Sequence, residues 1–115
     1  METTVSDDSI YQYIAHIADQ IGSQYQPERI ILFGSYGRGE TSPDSDIDLF
    51  IIKETNDNRI QRFVRVKGII YNQDLRIPVS PLVYTPAEVE ERLNMGDDFI
   101  KEILRDGKVL FEADD

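Results

Sequence analysis

The sequence predicts an α/β (α+β) fold in one domain, residues 1–115, and three observations support this prediction. Short apolar runs rich in β-branched residues indicate strands, and between them apolar residues recur every three or four positions, as they do on one face of a helix. The chain is 40% hydrophobic and 30% charged, which is typical of a soluble globular domain. Its 115 residues suffice to bury a core without disulfides or a structural metal.

The first elements are a helix and two strands. A helix is predicted over residues 9–24, because four isoleucines recur there at spacings of four, three and four: Ile10, Ile14, Ile17 and Ile21. Residues 29–33 are an apolar run that stops at Gly34, which is typical of a strand covered on both faces. A glycine-rich loop then leads to a second strand at residues 47–53. These strands begin a core that we expect to extend over residues 29–112.

Two further elements follow in the middle of the chain. Apolar residues at mostly helical spacing predict a helix over residues 58–71. Residues 77–84 read as a third strand, and Pro78 and Pro81 within it cannot donate backbone hydrogen bonds. We therefore expect this strand at an edge of the sheet or at a bulge.

The clearest local pattern lies just after the third strand. Thr85 is predicted to cap a helix, with Pro86 at its first position and Glu88 completing a capping box. Residues 99–105 predict a last short helix that ends before a glycine, and residues 108–112 can add a strand.

Composition and charge exclude several classes of function. The chain has no cysteine, which excludes thiol catalysis, Cys-ligated zinc and iron–sulfur clusters. Its acidic start lacks the basic segment of a signal peptide, and no apolar run approaches the ~20 residues of a membrane span, so we expect a cytoplasmic protein without membrane contact. The net charge of −10 disfavours direct binding to duplex nucleic acid.

One segment has the opposite charge. Residues 53–76 hold six basic residues against three acidic ones, a net charge of +3. Three arginines there, Arg59, Arg62 and Arg65, are spaced by three and lie close to one face of the predicted helix. Two interpretations stay open: a face that meets an acidic partner or a nucleotide, and an ordinary solvated helix surface.

The loop from Gly34 to Gly39 has the composition of a phosphate-binding loop. It follows a buried strand, and residues without a Cβ let the backbone approach a phosphate closely. Its glycine spacing differs from the dinucleotide-binding pattern, and Glu40 stands where a P-loop requires lysine.

An aspartate pair follows this loop at the start of the second strand. Residues two apart on a strand point to the same face about 6.5 Å apart, so Asp46 and Asp48 converge and repel unless a cation binds between them. Carboxylates on a rigid strand suit Mg²⁺. A calcium loop of the EF-hand type is excluded, because Leu49 and Thr55 replace its glycine and its bidentate glutamate. The loop and the pair together predict a phosphate site beside a metal site.

At these residues the sequence resembles the minimal nucleotidyltransferase family of the DNA polymerase beta superfamily. The family signature is Gly-Ser, ten residues and then Asp-x-Asp, and here it runs from Gly34-Ser35 to Asp46-Ile47-Asp48. The resemblance extends through residues 83–88 to residues 107–112, and it covers most of the chain from about Glu28 onward.

The resemblance implies a nucleotidyltransferase fold, a small mixed sheet flanked by helices, and a reaction that uses ATP as substrate. Asp46 and Asp48 would be the catalytic residues and the ligands of Mg²⁺. Gly34, Ser35 and Arg38 would bind the nucleotide. An acceptor hydroxyl would attack the α-phosphorus, and pyrophosphate would leave.

The resemblance also implies a protein partner. Small members of the family are antitoxins that add AMP to a tyrosine hydroxyl of a HEPN-domain ribonuclease toxin. One position departs from the pattern: the third acidic residue of the family falls by spacing on Ser80, and serine is neither a carboxylate ligand nor a general base at neutral pH.

Three interpretations therefore stay open. The first is a protein adenylyltransferase that modifies the toxin, and the second is a weak or inactive nucleotide-binding antitoxin that neutralises its partner by association alone. The third is transfer to the hydroxyl of a small molecule.

Overall fold

The computed structural model describes residues 7–41, 44–71 and 77–114, without the side chains of residues 7 and 8. It confirms the predicted α/β class. Within the described residues the elements follow in this order: α1 (Asp7–Tyr25), β1 (Arg29–Phe33), α2 (Gly34–Gly37), β2 (Ile47–Ile52), α3 (Arg59–Ile70), β3 (Val79–Tyr84), α4 (Pro86–Asn94), α5 (Asp98–Asp106) and β4 (Lys108–Glu112). Every helix in this part of the chain is too short or too polar to cross a bilayer.

The four strands form one mixed sheet in the order β3-β2-β1-β4. β1 pairs antiparallel with both β2 and β4, whereas β2 and β3 run parallel. β3 is an edge strand, as its prolines predict, and Pro81 sits opposite Leu49 in the register. An edge position tolerates proline because one side of the strand needs no hydrogen-bond donors.

Helices cover both faces of the sheet. Alternate residues of each strand point to opposite faces, so Leu32 packs in the core beneath α1 and α3, and its neighbour Ile31 packs against α4 and α5. The first core is the larger one, and it buries the isoleucine stripe of α1 that the periodicity predicts: Ile14, Ile17 and Ile21. Burial on both faces explains the uninterrupted apolar run in β1.

Side-chain caps set the starts of three helices. Thr85 and Glu88 form the predicted capping box of α4, and the side chain of Asp97 caps α5 by accepting from Ile100 N. Asn58 forms a second capping box with Gln61 at the start of α3. Each cap satisfies backbone N–H groups that the first helical turn leaves without partners.

The structure corrects the prediction of a continuous loop after β1. Gly34–Gly37 forms one helical turn, α2, in which the backbone N–H of Arg38 bonds to Gly34 O at 3.1 Å. The sequence does not predict this helical turn, because its glycines have low helix propensity. The turn forms between β1 and the segment that leads into β2, where tertiary contacts outweigh propensity.

The structure separates the three arginines on α3 but leaves both interpretations of Arg59 and Arg65 open. Arg62 faces inward, its side chain is only 7% exposed, and it binds both carboxylate oxygens of Glu88 at 2.7 and 3.2 Å. It also donates to the backbone oxygens of Asp57 and Val83. The three arginines therefore do not form one exposed face, because the middle one ties α3 to the start of α4.

Candidate functional site

The candidate site lies at one end of the strands, where β1 ends and where β2 and β3 begin; we call this end of the sheet the sheet edge of the site. In the antiparallel register Asp48 pairs with Phe33, the last residue of β1. In the parallel register Asp48 pairs with Ser80. Strand pairing thereby brings Gly34, Asp48 and Ser80 together, although Ser80 is 32 residues distant from Asp48 in the chain.

Gly34 allows the chain to turn tightly against Asp48. Its φ of +72° lies in the left-handed region, and a Cβ added there would overlap Asp48 Oδ2. Only glycine meets both requirements without strain. The close approach of this backbone to a carboxylate explains why the turn after β1 begins with glycine.

The turn that follows is held from two directions. Ser35 O accepts the backbone N–H of Glu40 at 2.9 Å, and the hydroxyl of Ser45 donates to the hydroxyl of Ser35 at 3.4 Å. From the other side, the hydroxyl of Tyr11 on α1 donates to the backbone oxygen of Tyr36 at 2.6 Å. The loop that carries Ser35 is thus positioned before any ligand binds.

The two aspartates differ in surroundings. Asp46 is exposed and accepts a hydrogen bond from the hydroxyl of Ser80 at 3.0 Å. Asp48 is half-buried, and its pKa is raised, first by burial and then by the negative charge of Asp46, with the guanidinium of Arg38 acting in the opposite direction. Burial, the larger cause, and the nearby carboxylate of Asp46 both disfavour the charged form of Asp48.

This donor set fits a hard divalent cation. Two carboxylates at one strand end, one of them destabilised by the charge of the other, are relieved when a cation binds, and Mg²⁺ takes one or two protein carboxylates with water and phosphate oxygens completing its shell. Among the residues that the structure describes, no further histidine or carboxylate joins the pair to make a three-residue cluster. Asp46 and Asp48 are therefore the groups that can hold the metal.

The structure thus brings together most of the residues that the sequence predicts for the site. Gly34, Ser35, Asp46 and Asp48 lie at one edge of the sheet, and Arg38 lies close enough for its charge to affect Asp48. Arg38 is half-exposed and pairs with Glu40 at 3.4 Å.

Sequence reasoning missed three residues that support the site: Tyr11, Tyr36 and Ser45. Tyr11 does follow the helical spacing of the buried stripe on α1, which predicts that it packs inward but not that it bonds to the loop. Ser45 directly precedes the aspartate pair, and no local pattern links it to Ser35. Both contacts arise from long-range packing.

Gly34→Ala is expected to weaken Mg²⁺ binding by about tenfold, because the new methyl group displaces the Asp48 carboxylate. The strained φ also lowers the free energy of unfolding by roughly 1–2 kcal/mol. Gly96→Ala is the matched control, since Gly96 has a φ of +77° and open space at its Cβ position. Calorimetric Mg²⁺ titration and urea unfolding measure the two effects. Equal Mg²⁺ affinities in the two variants would contradict the prediction.

Comparison with known proteins agrees with this geometry. The sequence profile of a family described as "Nucleotidyltransferase domain" matches residues 14–110. Three proteins of Methanocaldococcus jannaschii are similar to the chain. "Putative protein adenylyltransferase MJ1305" is 34% identical over 88 residues, 74% of this chain, and "Putative protein adenylyltransferase MJ0141" is 34% identical over 58 residues, 50% of this chain.

The third relative, "Putative protein adenylyltransferase MJ0604", is 25% identical over 100 residues, which are 85% of this chain and 94% of that protein. The matched regions cover only 58% of MJ1305 and 59% of MJ0141, so the chain spans less than two thirds of the length of these two relatives.

Proposed function

Because this chain belongs to the nucleotidyltransferase domain family, we propose that it transfers AMP from ATP to a hydroxyl group of a partner protein. The observation that carries the proposal is the placement of Asp46 and Asp48 beside the Gly34-Ser35 turn at one edge of the sheet. That placement supports a divalent-cation site next to a site for phosphate oxygens.

Each site residue has a proposed role in this reaction. Asp46 and Asp48 hold Mg²⁺, which when bound neutralises the charge of the triphosphate. The hydroxyl of Ser35 and the backbone of α2 bind phosphate oxygens, and Arg38 adds positive charge nearby. The oxygen of the acceptor hydroxyl forms a bond to the α-phosphorus. The bond between the α-phosphorus and the oxygen that bridges the α- and β-phosphates breaks, so that pyrophosphate leaves, and the hydroxyl loses its proton.

We propose a tyrosine of a HEPN-domain ribonuclease toxin as the acceptor, so that the chain acts as its antitoxin. Two observations support a protein acceptor. The three relatives are named as protein adenylyltransferases, and the Gly-Ser to Asp-x-Asp motif resembles that of small antitoxin nucleotidyltransferases.

A labelling experiment tests this function. The wild-type chain is incubated with ATP labelled at the α-phosphate, Mg²⁺ and the protein encoded by the neighbouring gene, which is the candidate toxin. We expect label on a tyrosine of that protein, lost when EDTA is added and when that tyrosine is changed to phenylalanine. Absence of label on the wild-type toxin under all conditions would refute the proposed transfer.

A second candidate function is neutralisation by association alone, and one observation favours it: Ser80, not a carboxylate, lies beside Asp48. The two functions separate in cells that express the toxin. If Asp46→Asn/Asp48→Asn still forms the complex but no longer protects the cells, association alone is refuted. If the double variant protects as well as wild type, transfer is not the protective activity.

Ser80→Asp is expected to raise the affinity for Mg²⁺ by roughly tenfold, because a third carboxylate then joins the pair at the register position beside Asp48. Ser23→Asp is the control for added charge, since Ser23 is exposed on α1 outside the site. Calorimetry with Mg²⁺ and a non-hydrolysable ATP analogue measures the change. Equal affinities in the two variants would show that position 80 does not reach the metal.

A further inference from the structure

The outward side of α3 is unusually apolar for a helix that lies on the surface. We call this surface the outer α3 face; it consists of Ile60, Phe63, Val64 and Tyr71. These side chains are 75%, 47%, 60% and 80% exposed, respectively. The opposite side of α3 is buried in the core through Val66 and Ile70. A helix that is apolar on both sides is typical of one that is covered on both sides.

The spacing on this face matches a helical occupant. Ile60, Val64, Lys67 and Tyr71 follow one another at intervals of four, three and four, the spacing of a seam between two packed helices. Lys67 donates from its ammonium group to Val79 O at 3.1 Å, so its charge already has a partner within the chain. The seam favours an α-helix over an extended peptide.

The charge of α3 identifies the chemistry of that helix. Residues 58–71 contain four basic residues and no acidic one, in a chain that has 22 acidic residues in all. Arg62 binds Glu88, Arg65 pairs with Asp57, and Arg59 lies over the ring of Tyr84. Arg59 and Arg65 nevertheless stay exposed, so the border of the outer face keeps a net positive charge. A partner helix with carboxylates flanking its apolar stripe complements this border.

The same charges argue against two other occupants. If two copies of the chain paired through α3, the helices would oppose basic residues without any acidic counterpart on either one. A membrane with anionic lipids presents negative charge to a whole side of a chain whose net charge is −10, whereas a single partner helix meets only α3 and its basic border. An acidic protein helix satisfies the apolar seam and the charge together.

The helix α3 borders the strand that reaches the candidate site. The hydrogen bond from Lys67 places the C-terminal half of α3 beside the first residue of β3. The next residue of that strand, Ser80, pairs with Asp48. A protein docked along α3 would therefore lie on the helix that borders the strand of Ser80.

We propose that the outer α3 face docks an amphipathic helix of the acceptor protein, with aspartate or glutamate flanking its apolar stripe. The inference rests on the proposed function for the identity of the partner as the acceptor. The docking surface itself is tested without any transfer reaction.

The first experiment uses a labelled synthetic peptide of about 20 residues with leucine at heptad positions and glutamate beside them, and a second peptide with lysine in place of glutamate. Fluorescence anisotropy measures their affinity for the wild-type chain. We expect the glutamate peptide to bind, and the lysine peptide to bind at least about tenfold more weakly. Failure of the glutamate peptide to bind, or equal affinities for both peptides, overturns the proposal.

Ile60→Ser/Val64→Ser tests the apolar seam without changing charge. This variant is expected to bind the glutamate peptide at least about tenfold more weakly than wild type. Met95→Ser/Val109→Ser is the matched control, because Met95 and Val109 are 69% and 53% exposed at other places on the molecule. Circular dichroism and Mg²⁺ titration establish that both variants stay folded. Equal peptide affinities in both variants overturn the proposal.

Two further measurements address the other occupants. Sedimentation velocity is expected to show no dimer of the wild-type chain that forms through the seam. Vesicles that contain phosphatidylserine are expected to bind neither the wild-type chain nor the seam variant. A dimer or vesicle binding that the seam variant removes would assign the face to a second copy or to a membrane and overturn the proposal.

The labelling reaction connects the surface to the function. With the acceptor protein as substrate, the seam variant is expected to raise KM about tenfold at unchanged kcat, because it weakens docking and leaves the site intact. If the wild-type chain labels the acceptor and the variant has the same KM, docking on α3 is refuted and transfer stands. If the wild-type chain labels nothing but binds the glutamate peptide through the seam, transfer is refuted and docking stands.

Discussion

Asp48→Asn is expected to lower the rate of AMP transfer about 1,000-fold or more, because the substitution removes one of the two carboxylates that we propose as metal ligands. Asparagine has the same shape and keeps an oxygen at the position beside Gly34, so the turn after β1 stays in place. The initial rate of label transfer at saturating ATP measures the effect.

The matched control is Asp19→Asn, which makes the same chemical change at an exposed position on α1. It is expected to transfer AMP at the wild-type rate. An Asp48→Asn variant that keeps more than a tenth of the wild-type rate would show that the aspartate pair is not the catalytic metal site.

The same substitution is expected to stabilise the metal-free protein at neutral pH. The pKa of Asp48 is raised in the folded state by burial and by Asp46, so the folded state binds its proton more tightly than the unfolded state does. The free energy of unfolding therefore falls as the pH rises from the ordinary carboxyl pKa through the raised one. Asparagine cannot ionise, so it removes this loss of stability at pH 7. Substitutions at functional sites often raise stability in this way while they lower activity.

Thermal unfolding in EDTA and in Mg²⁺ checks this expectation. In EDTA at pH 7 the Tm of Asp48→Asn should exceed that of wild type, and at a pH below the ordinary carboxyl pKa the difference should vanish. Mg²⁺ should raise the Tm of wild type and have little effect on the variant, because a ligand stabilises the state that binds it. A lower Tm for the variant in EDTA at pH 7 would contradict the sign of the argument.

Glu88→Ala is expected to lower the free energy of unfolding by about 3 kcal/mol, the largest effect on stability that we predict. The guanidinium of Arg62 is buried and loses both carboxylate oxygens of Glu88, and the neutral backbone oxygens that remain do not compensate its charge. The value lies at the low end for such pairs because the side chain of Glu88 is 34% exposed. The expected loss of about 3 kcal/mol includes the loss of the capping box that Glu88 forms with Thr85.

Urea unfolding at pH 7 measures this change, with Glu90→Ala as the control. Glu90 is exposed on α4, so Glu90→Ala makes the same change in composition without removing a buried ion pair. This substitution is expected to change the free energy of unfolding by less than about 0.5 kcal/mol. Similar losses in the two variants would show that the pair with Arg62 does not stabilise the fold.

The pH dependence of this pair has the opposite sign to that of Asp48. The hydrogen bonds from Arg62 hold the pKa of Glu88 below its usual value. Its contribution is therefore present above the ordinary glutamate pKa and is lost as the pH falls through the lowered one. The stability difference between wild type and Glu88→Ala should shrink as the pH falls through this range, because the wild-type carboxylate is then protonated.

Much of the local structure could be predicted from the sequence. The strand from residues 29 to 33, the capping box at Thr85 and Glu88, and the edge position of the proline-containing strand all agree with the structure. These features depend on residues within a few positions of each other, so periodicity and capping rules are sufficient to find them.

Other features depended on which distant segments pack together. Arg62 looks like its neighbours Arg59 and Arg65 in the sequence, yet it alone is buried, because Glu88 lies opposite it across the end of β3. The single turn α2 was missed because glycine does not predict a helix. Spacing along the chain cannot show which side of α3 has a partner.

The sequence by itself determined the α/β class, the glycine turn at Gly34-Ser35 and the position of the aspartate pair at Asp46 and Asp48, since each rests on a short pattern with a local physical cause. The tertiary structure decided that Asp48 lies against Gly34 and beside Ser80, and that α3 keeps an apolar outer face. Strand register and helix burial depend on pairing between segments far apart in the chain, and no short stretch of sequence contains both partners.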